Sequence, residues 1–299
     1  MDKTWTVGEI LAWTKDYFAS HGLDNPRLEA EVLLAFVLGL TRVGLYVQHD
    51  RPVNLDERKR FRELIIKRIK GEPTAYLVKS KEFMSLPFYV DRRVLIPRPD
   101  TEILVEESIR LLREKEGDVL VADVGCGSGA IGISIAKYVP NATVFLIDLV
   151  KEALEVARIN AEMNQVMSRV VFVKGDLLTT CGDAVFDLIA ANLPYIPQDQ
   201  LLDLPHHIRD YEPLSALNGG KEGVDLYLRL LPQAYERLKA EGYLLMEVMD
   251  KKQAELLLKR ADSGWETFYI KKDLAQRDRV LVLRKAGEYG GNKNENSAG

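Results

Sequence analysis

Over residues 1–73 the apolar positions recur at three- and four-residue intervals, the period of a helix with one buried side. Thr6 and Glu9 have capping-box spacing, and Ile10, Trp13, Tyr17 and Phe18 follow at helical intervals. Asn25-Pro26 opens a second helix, with Leu28, Val32, Leu33, Phe36 and Val37 on its apolar side and Gly39 to stop it. A further helix spans Asn54 to Gly71, burying Phe61, Leu64, Ile65 and Ile69 and turning Arg58, Lys59, Arg62, Lys67 and Lys70 outward. This stretch predicts a small helical bundle. Its basic face reads either as solvated surface or as a docking surface for an acidic partner or RNA.

The pattern changes after residue 73. In the segment 74–98, Phe83, Leu86, Phe88, Val90, Val94 and Ile96 lie among Pro, Asp and Arg, which predicts a β-hairpin linker. Pro97-Arg98-Pro99-Asp100-Thr101-Glu102 is then a rigid turn into a helix that runs through Leu112. From 99 to 286 strands and helices alternate: Val119–Val124, Ala130–Tyr138, Thr143–Ile147, Glu152–Asn164, Val170–Val173 and Phe186–Ala191. Such alternation builds a parallel sheet covered by helices on both faces. The last strands are Tyr243–Val248, Glu266–Ile270 and Val280–Leu283. No helix is evident between the final two, so they are expected to pair as an antiparallel hairpin at the sheet edge. Residues 287–299 are without apolar content apart from Tyr289 and Ala298 and read as a disordered tail.

Composition narrows the classes. A chain of 299 residues, 46% apolar and 29% charged, has room for one large and one small globular domain. No apolar run reaches the length of a membrane span, and Met1-Asp2-Lys3-Thr4-Trp5 lacks the basic-then-apolar start of a secretory signal. Cys126 and Cys181 stand far apart and outside any metal-ligand spacing, so they read as free thiols in a reducing cytoplasm. A net charge of -4 argues against a protein that coats nucleic acid. His206-His207 have no Cys or carboxylate in ligand spacing, so no metal site is expected.

Two stretches carry candidate chemistry. The first strand of the α/β part ends in Asp123-Val124-Gly125-Cys126-Gly127-Ser128-Gly129. Closely spaced glycines let a ligand approach the backbone and let the next helix point its N-terminus at it. Asp148 ends the second strand, where a carboxylate can hold both ribose hydroxyls, and Asp176, beside Leu177, can accept from an adenine amino group. Gly127, Gly129 and Gly132 formally satisfy the dinucleotide pattern G-x-G-x-x-G. A carboxylate at Asp123 suits a pyrophosphate poorly but can order a loop around an ammonium group, which favours S-adenosylmethionine over NAD. The second stretch, Asn192-Leu193-Pro194-Tyr195-Ile196, follows a buried strand and could hold a flat hydrogen-bonding group such as an amide or a base edge; it could equally be an ordinary strand-to-loop turn.

These residues resemble the HemK/PrmC family of protein-(glutamine-N5) methyltransferases, which modify peptide chain release factors. The resemblance covers nearly the whole chain. It includes Glu82-Phe83 to Phe88, Leu95 to Glu102, Glu212-Pro213-Leu214-Ser215-Ala216-Leu217 with Gly219-Gly220 and Gly223, Lys272-Asp273-Leu274, and Arg277 to Val280. The glycine loop and the Asn-x-Pro-Tyr stretch are shared widely among methyltransferases; the Pro-Arg-Pro and Glu-Pro-Leu segments are narrower. The resemblance implies a Rossmann-like class I methyltransferase domain, with a mostly parallel seven-stranded sheet and an antiparallel edge hairpin, behind an N-terminal domain that recognises the release factor. It implies S-adenosylmethionine held by Gly125, Cys126, Gly127, Ser128, Gly129, Asp148, Asp176, Leu177 and Asn192. It implies a substrate amide held by Asn192, Leu193, Pro194 and Tyr195, with Asn192 and Tyr195 catalytic.

Two positions depart from the family pattern: Leu193, where proline is usual, and Met249, where a glycine is usual and a methionine could crowd a loop. Asn-Leu-Pro-Tyr is also similar to the Asn-Ile-Pro-Tyr of rRNA adenine dimethylases. A base-modifying enzyme, acting on an exocyclic amine of RNA or DNA, therefore stays open as the alternative. Such an enzyme should carry a basic track to Asn192, whereas residues 198–211 hold Asp199, Asp203 and Asp210 against Arg209. A non-enzymatic binding module is a further alternative, which cofactor binding would exclude. No stable nucleic-acid complex and no membrane association are expected.

Overall fold

The computed structural model describes residues 4–261 and 264–287; the expected tail, from residue 288 on, lies outside the described residues. Two compact units are present: one runs to Ser80 and includes Pro205–Tyr211, the other runs from Lys81 to Leu204 and resumes at Glu212.

The first unit holds α1 (Val7–Ser20), α2 (Pro26–Leu38), α3 (Arg42–Val47), α4 (Leu55–Ile69) and α5 (Thr74–Val78). The capping boxes Thr6/Glu9 and Asn54/Glu57 start α1 and α4, and Gly39 ends α2 in the left-handed region at φ +64°. The apolar stripe of α2 is rotated from the one its spacing predicts: Ala30, Leu33, Leu34 and Val37 are buried, while Leu28 and Phe36 are exposed. Glu31 sits inside that stripe. Its Oε1 accepts from Arg27 Nε at 2.9 Å and from the Tyr46 hydroxyl, and its Oε2 accepts from Arg42 Nη2 at 2.6 Å. A satisfied carboxylate can thus take a core position. The segment 74–98 does not begin as a hairpin. Pro73 starts the short helix α5, which buries Tyr76 and Leu77.

The second unit opens with the hairpin β1 (Lys81–Phe83) and β2 (Leu86–Phe88), then α6 (Pro99–Arg113), β3 (Val119–Val124), α7 (Ala130–Tyr138), β4 (Ala142–Asp148), α8 (Lys151–Met163), β5 (Val170–Lys174) and β6 (Phe186–Ala191). The single turn α9 (His206–Arg209) belongs to the helical unit, where the Tyr211 hydroxyl donates to Lys70 O at 3.0 Å. The acidic run around the site is thereby divided, with Asp210 in the helical unit. The chain closes with α10 (Asp225–Arg237), β7 (Leu238–Glu247), α11 (Lys251–Arg260), β8 (Trp265–Lys272) and β9 (Asp278–Lys285). Helices α10 and α11 were not read from the sequence; Pro232 inside α10 disguises it.

The sheet order is β5-β4-β3-β6-β7-β9-β8. β5 through β7 are parallel, and β9 inserts antiparallel between β7 and β8, so the closing hairpin forms one edge as expected. Neighbouring residues of the central strands feed opposite cores: Val121, Leu188 and Ala190 on one face, Ala122, Val124, Ile189 and Ala191 on the other. The chain leaves β3 toward β4 on one side and later returns to β6 on the other. The carboxyl ends of β3 and β6 therefore flank a topological switch point, where open α/β sheets bind ligands.

Candidate active site

A cavity opens at that switch point, lined by Gly125, Cys126, Gly127, Ser128, Asp148, Asp176, Leu177, Asn192, Leu193 and Pro194, together with Arg98 and Thr101. Gly125 and Cys126 both donate backbone N–H to Ile147 O at 2.9 Å, closing β3 onto β4. Gly127, at φ +52°, has nothing within 4 Å of where a Cβ would stand, so its backbone faces open space. Its N–H donates to Asp148 Oδ2 at 2.8 Å, and Val150 N–H donates to Oδ1 at 2.8 Å. Burial raises the Asp148 carboxyl above its ordinary range against these two hydrogen bonds. Asp176 lines the cavity while paired with Arg229. Gly129 does not line it; a Cβ there would meet Ile133 Cδ1 at 2.7 Å, so it serves helix packing.

Asp123 lies wholly buried under the loop. Its Oδ2 accepts from Gly132 N–H at 2.8 Å, and its Oδ1 has no hydrogen-bond partner among the described residues. Burial pushes its carboxyl up to about 7, against the Gly132 hydrogen bond and with help from the Asp148 charge. Two carboxylates below and beside the glycine loop make poor company for a pyrophosphate and good company for an ammonium or sulfonium. The open backbone at Gly127, Asp148 at a strand end and the Asp176-Leu177 corner fit S-adenosylmethionine. The Cys126 thiol is pushed up by burial and is inert.

The second stretch leaves β6 into the same cavity. Asn192 Nδ2 donates to Thr101 Oγ1 at 3.1 Å, and Oδ1 has no protein partner among the described residues. Leu193 N–H donates to the Tyr227 hydroxyl at 3.1 Å; that hydroxyl gives its own proton to Glu247 O at 2.6 Å, so the Leu193 carbonyl, 3.5 Å away, keeps acceptor capacity. Tyr195 does not line the cavity. Its hydroxyl donates to Glu247 Oε1 at 3.2 Å and burial raises its pKa, so it stands behind the loop as a neutral phenol. Glu247 Oε2 has no hydrogen-bond partner among the described residues. Burial pushes Glu247 up to about 7 even though Thr101 and Tyr195 stabilise its ionised form.

Further residues hold these stretches, and Gln253 and Asn160 among them were not singled out in the sequence. Gln253 Nε2 donates to Tyr195 O at 3.0 Å and Gly223 O at 2.9 Å, and its Oε1 accepts from Met249 N–H at 2.9 Å. Gly219 lets the backbone approach: a Cβ there would stand 2.7 Å from Pro194 O. Asn160 of α8, fully buried, donates to Ser128 O at 2.8 Å and Tyr89 O at 3.0 Å and accepts from Tyr89 N–H at 2.6 Å, clipping the linker to the glycine loop. An asparagine between Ala157 and Ala161 on the apolar side of a helix was the available signal. Glu212 accepts from Ile96 N–H at 3.2 Å and pairs with Arg98, so the Glu-Pro-Leu and Pro-Arg-Pro segments meet. Among the described residues, no three His, Cys, Asp or Glu side chains cluster as a metal site, and His206 pairs with Asp210.

Residues 9–78 match the family described as the PrmC N-terminal domain, and residues 100–206 match the methyltransferase small domain. A release factor glutamine methyltransferase of Rhodopirellula baltica is 38% identical over 290 residues, covering 95% of this chain and 98% of that protein. This chain belongs to the release factor glutamine methyltransferase family. A Moorella thermoacetica member is 40% identical over 95% of this chain and 100% of its own length, and a Geobacter sulfurreducens member is 43% identical over 82% and 84%. A crystal structure of a methyltransferase from Pyrococcus furiosus shares the fold, with a TM-score of 0.51 at 20% identity over 75% of this chain and 98% of that one.

Both departures from the pattern of the release factor glutamine methyltransferases have a local account. Leu193 is buried, with Cδ2 standing 2.8 Å from where a Gly125 Cβ would be, so its side chain caps the start of the glycine loop. Its N–H, which proline would lack, satisfies Tyr227. Met249 is half-buried; its N–H is held by Gln253 and its carbonyl accepts from Arg279 Nη1 at 2.9 Å.

Proposed function

We propose that this protein transfers a methyl group from S-adenosylmethionine to the side-chain amide nitrogen of the glutamine in the Gly-Gly-Gln motif of peptide chain release factors. The observation that carries the reading is the sense of the Asn192 amide. Its Nδ2 is spent on Thr101 and its Oδ1 is left open, next to the Leu193 carbonyl and on the cavity shared with the glycine loop. Two acceptors side by side suit an NH2 group that must give up both of its hydrogens.

An amide nitrogen is a weak nucleophile because its lone pair is delocalised into the carbonyl. The bound cofactor supplies the electrophilic methyl carbon. Asn192 Oδ1 and Leu193 O would take the two N–H bonds and turn the lone pair toward that carbon, for which near-attack placement of roughly 3–3.5 Å suffices. No strong base is needed at the outset. The nitrogen sheds its extra proton to water or a nearby oxygen as the bond forms. Pro194 stiffens the loop, and Tyr195 holds it from behind through Glu247.

Recognition of the intact release factor is assigned to the N-terminal helical unit, whose exposed α4 face carries Lys59, Arg62 and Lys67. The protein acts in the cytoplasm, in keeping with two buried free thiols, and forms no stable nucleic-acid complex. No described helix is long and apolar enough to cross a membrane. The test is incubation with labelled S-adenosylmethionine and either release factors or bulk RNA. Label is expected on the glutamine of the release factor; label in RNA alone would replace this reading with base methylation.

A further inference from the structure

Tyr227 of α10 is in no candidate set drawn from the sequence, yet its hydroxyl meets the backbone between the two acceptors assigned to the substrate. The side chain is wholly buried, in the core that also holds Ala191, Leu193 and Met246, and it lines no part of the cavity. Its oxygen accepts from Leu193 N–H at 3.1 Å. Its own proton goes to Glu247 O at 2.6 Å in preference to Leu193 O at 3.5 Å. These directions are forced, because a backbone N–H only donates and a backbone carbonyl only accepts. Burial raises the hydroxyl well above its ordinary range, so it keeps its proton.

The N–H that Tyr227 holds belongs to the peptide unit between the α-carbons of Asn192 and Leu193. The Asn192 side chain leaves one end of that planar unit, and the Leu193 carbonyl leaves the other. Its tilt therefore sets where Asn192 Oδ1 and Leu193 O stand relative to each other, and the two must match the two hydrogens of one NH2 group. Each end has an anchor of its own: Asn192 Nδ2 donates to Thr101, the buried Leu193 side chain caps Gly125, and Pro194 restricts the torsion before it. None of these three touches the unit that joins the ends, and leucine, unlike proline, has no ring to lock its φ. Through Glu247 O, the Tyr227 hydroxyl ties that unit to the end of β7, the strand paired with β6. We infer that Tyr227 is a positioning residue that holds the peptide unit between the two acceptors and so fixes their spacing on the substrate amide. The inference rests on the reading of Asn192 Oδ1 and Leu193 O as acceptors for the glutamine amide, and concerns a residue that acts through them.

The test is single-turnover methylation of a release factor by Tyr227→Phe, Leu193→Pro and the double variant, with Asn192→Ala beside them. Circular dichroism and calorimetric cofactor affinity establish that each variant is folded and loaded. Tyr227→Phe keeps the ring and loses the hydroxyl; it is expected to slow transfer about tenfold, with KM for the release factor and cofactor affinity close to wild type. Leu193→Pro deletes the N–H and locks φ with its ring, so whatever the rate of that variant, adding Tyr227→Phe slows it no further. Urea midpoints still fall in the double variant, because the hydrogen bond to Glu247 O is lost in either background. Should Tyr227→Phe fail to fold, amide exchange of the wild-type protein decides, with Leu193 N–H expected among the slow exchangers. Tyr227→Phe at the wild-type rate, losses that multiply in the double variant, or a fast-exchanging Leu193 N–H would overturn the inference alone. Asn192→Ala at wild-type rate would instead remove the reading beneath it.

Discussion

Glu31 in the helical unit and Glu247 in the catalytic unit are both buried glutamates, and they are treated in opposite ways. Around Glu31, Tyr46, Arg42 and Arg27 supply donors to both oxygens, and these outweigh burial to bring the carboxyl down to about 2. Around Glu247 the Tyr195 hydroxyl donates to one oxygen at 3.2 Å, the other has no hydrogen-bond partner among the described residues, and burial lifts the carboxyl to about 7. Asp123 repeats the second pattern beneath the glycine loop, again at about 7. A buried charge that is fully paired serves a stable core, whereas one left short of partners costs stability and marks groups arranged for something other than stability. The two buried carboxylate oxygens without a hydrogen-bond partner among the described residues, Asp123 Oδ1 and Glu247 Oε2, lie near the ends of β3 and β7, where the chemistry is assigned.

The largest expected effect breaks the catalytic side outright. Gly127→Val puts a branched side chain into the open space beside the loop and should abolish cofactor binding by calorimetry, with helical content by circular dichroism intact. Unchanged binding would move the cofactor elsewhere. Next comes Asn192→Ala, which removes one of two acceptors for the amide and is expected to cost about a hundredfold in turnover. Cofactor affinity should move little, and a large change there would reassign Asn192 to the cofactor.

Stability sharpens the contrast at smaller magnitude. Glu31→Gln loses charge-assisted hydrogen bonds and should lower the unfolding free energy by about 1–3 kcal/mol at pH 7. Glu247→Gln removes a carboxyl whose ionised form burial disfavours, and should be no less stable than wild type in urea denaturation at pH 7. Equal losses in the two variants would erase the distinction.

The pH dependence gives the smallest signal, and its two halves have opposite sign. Glu31 lies below its ordinary 4.5 when folded, so its contribution is complete above that value and is lost as pH falls toward about 2. Glu247 and Asp123 lie above their ordinary 4.5 and 3.8, so their contributions are complete below those values and are lost as pH rises through about 7. Urea midpoints measured from pH 4 to 8 should therefore shift in favour of Glu247→Gln over wild type as pH rises, while the Glu31→Gln deficit stays level above pH 5. A Glu247→Gln difference that ignores pH would contradict the burial argument.

Much of this was legible in the sequence because the period of apolar residues and the chemistry of strand ends are local signals. The strands from β3 to β6 begin and end within a residue or so of where their apolar runs do. What stayed hidden depends on partners distant in the chain. Thr101 looks like a helix-start residue until Asn192 meets it from 91 positions away, and Gln253 looks like surface until it reaches Tyr195 O. The α2 stripe was misplaced because Glu31 counts as polar in any pattern, and only Arg27, Arg42 and Tyr46 together make it a core residue. Tyr195 was expected over the substrate amide, yet its hydroxyl binds a carboxyl that belongs to another strand.

The contrast between the two glutamates is tested most directly by single-turnover methylation of an isolated Gly-Gly-Gln domain, comparing Glu31→Gln with Glu247→Gln at a temperature where both are folded. The account predicts that Glu31→Gln, the less stable variant, transfers the methyl group at the wild-type rate. Glu247→Gln, no less stable than wild type, should be slower by about tenfold or more, since an NH2 replaces one oxygen of the carboxyl that the Tyr195 hydroxyl meets behind the Asn192 loop. A fast Glu247→Gln, or a folded Glu31→Gln that is the slower of the two, would contradict it.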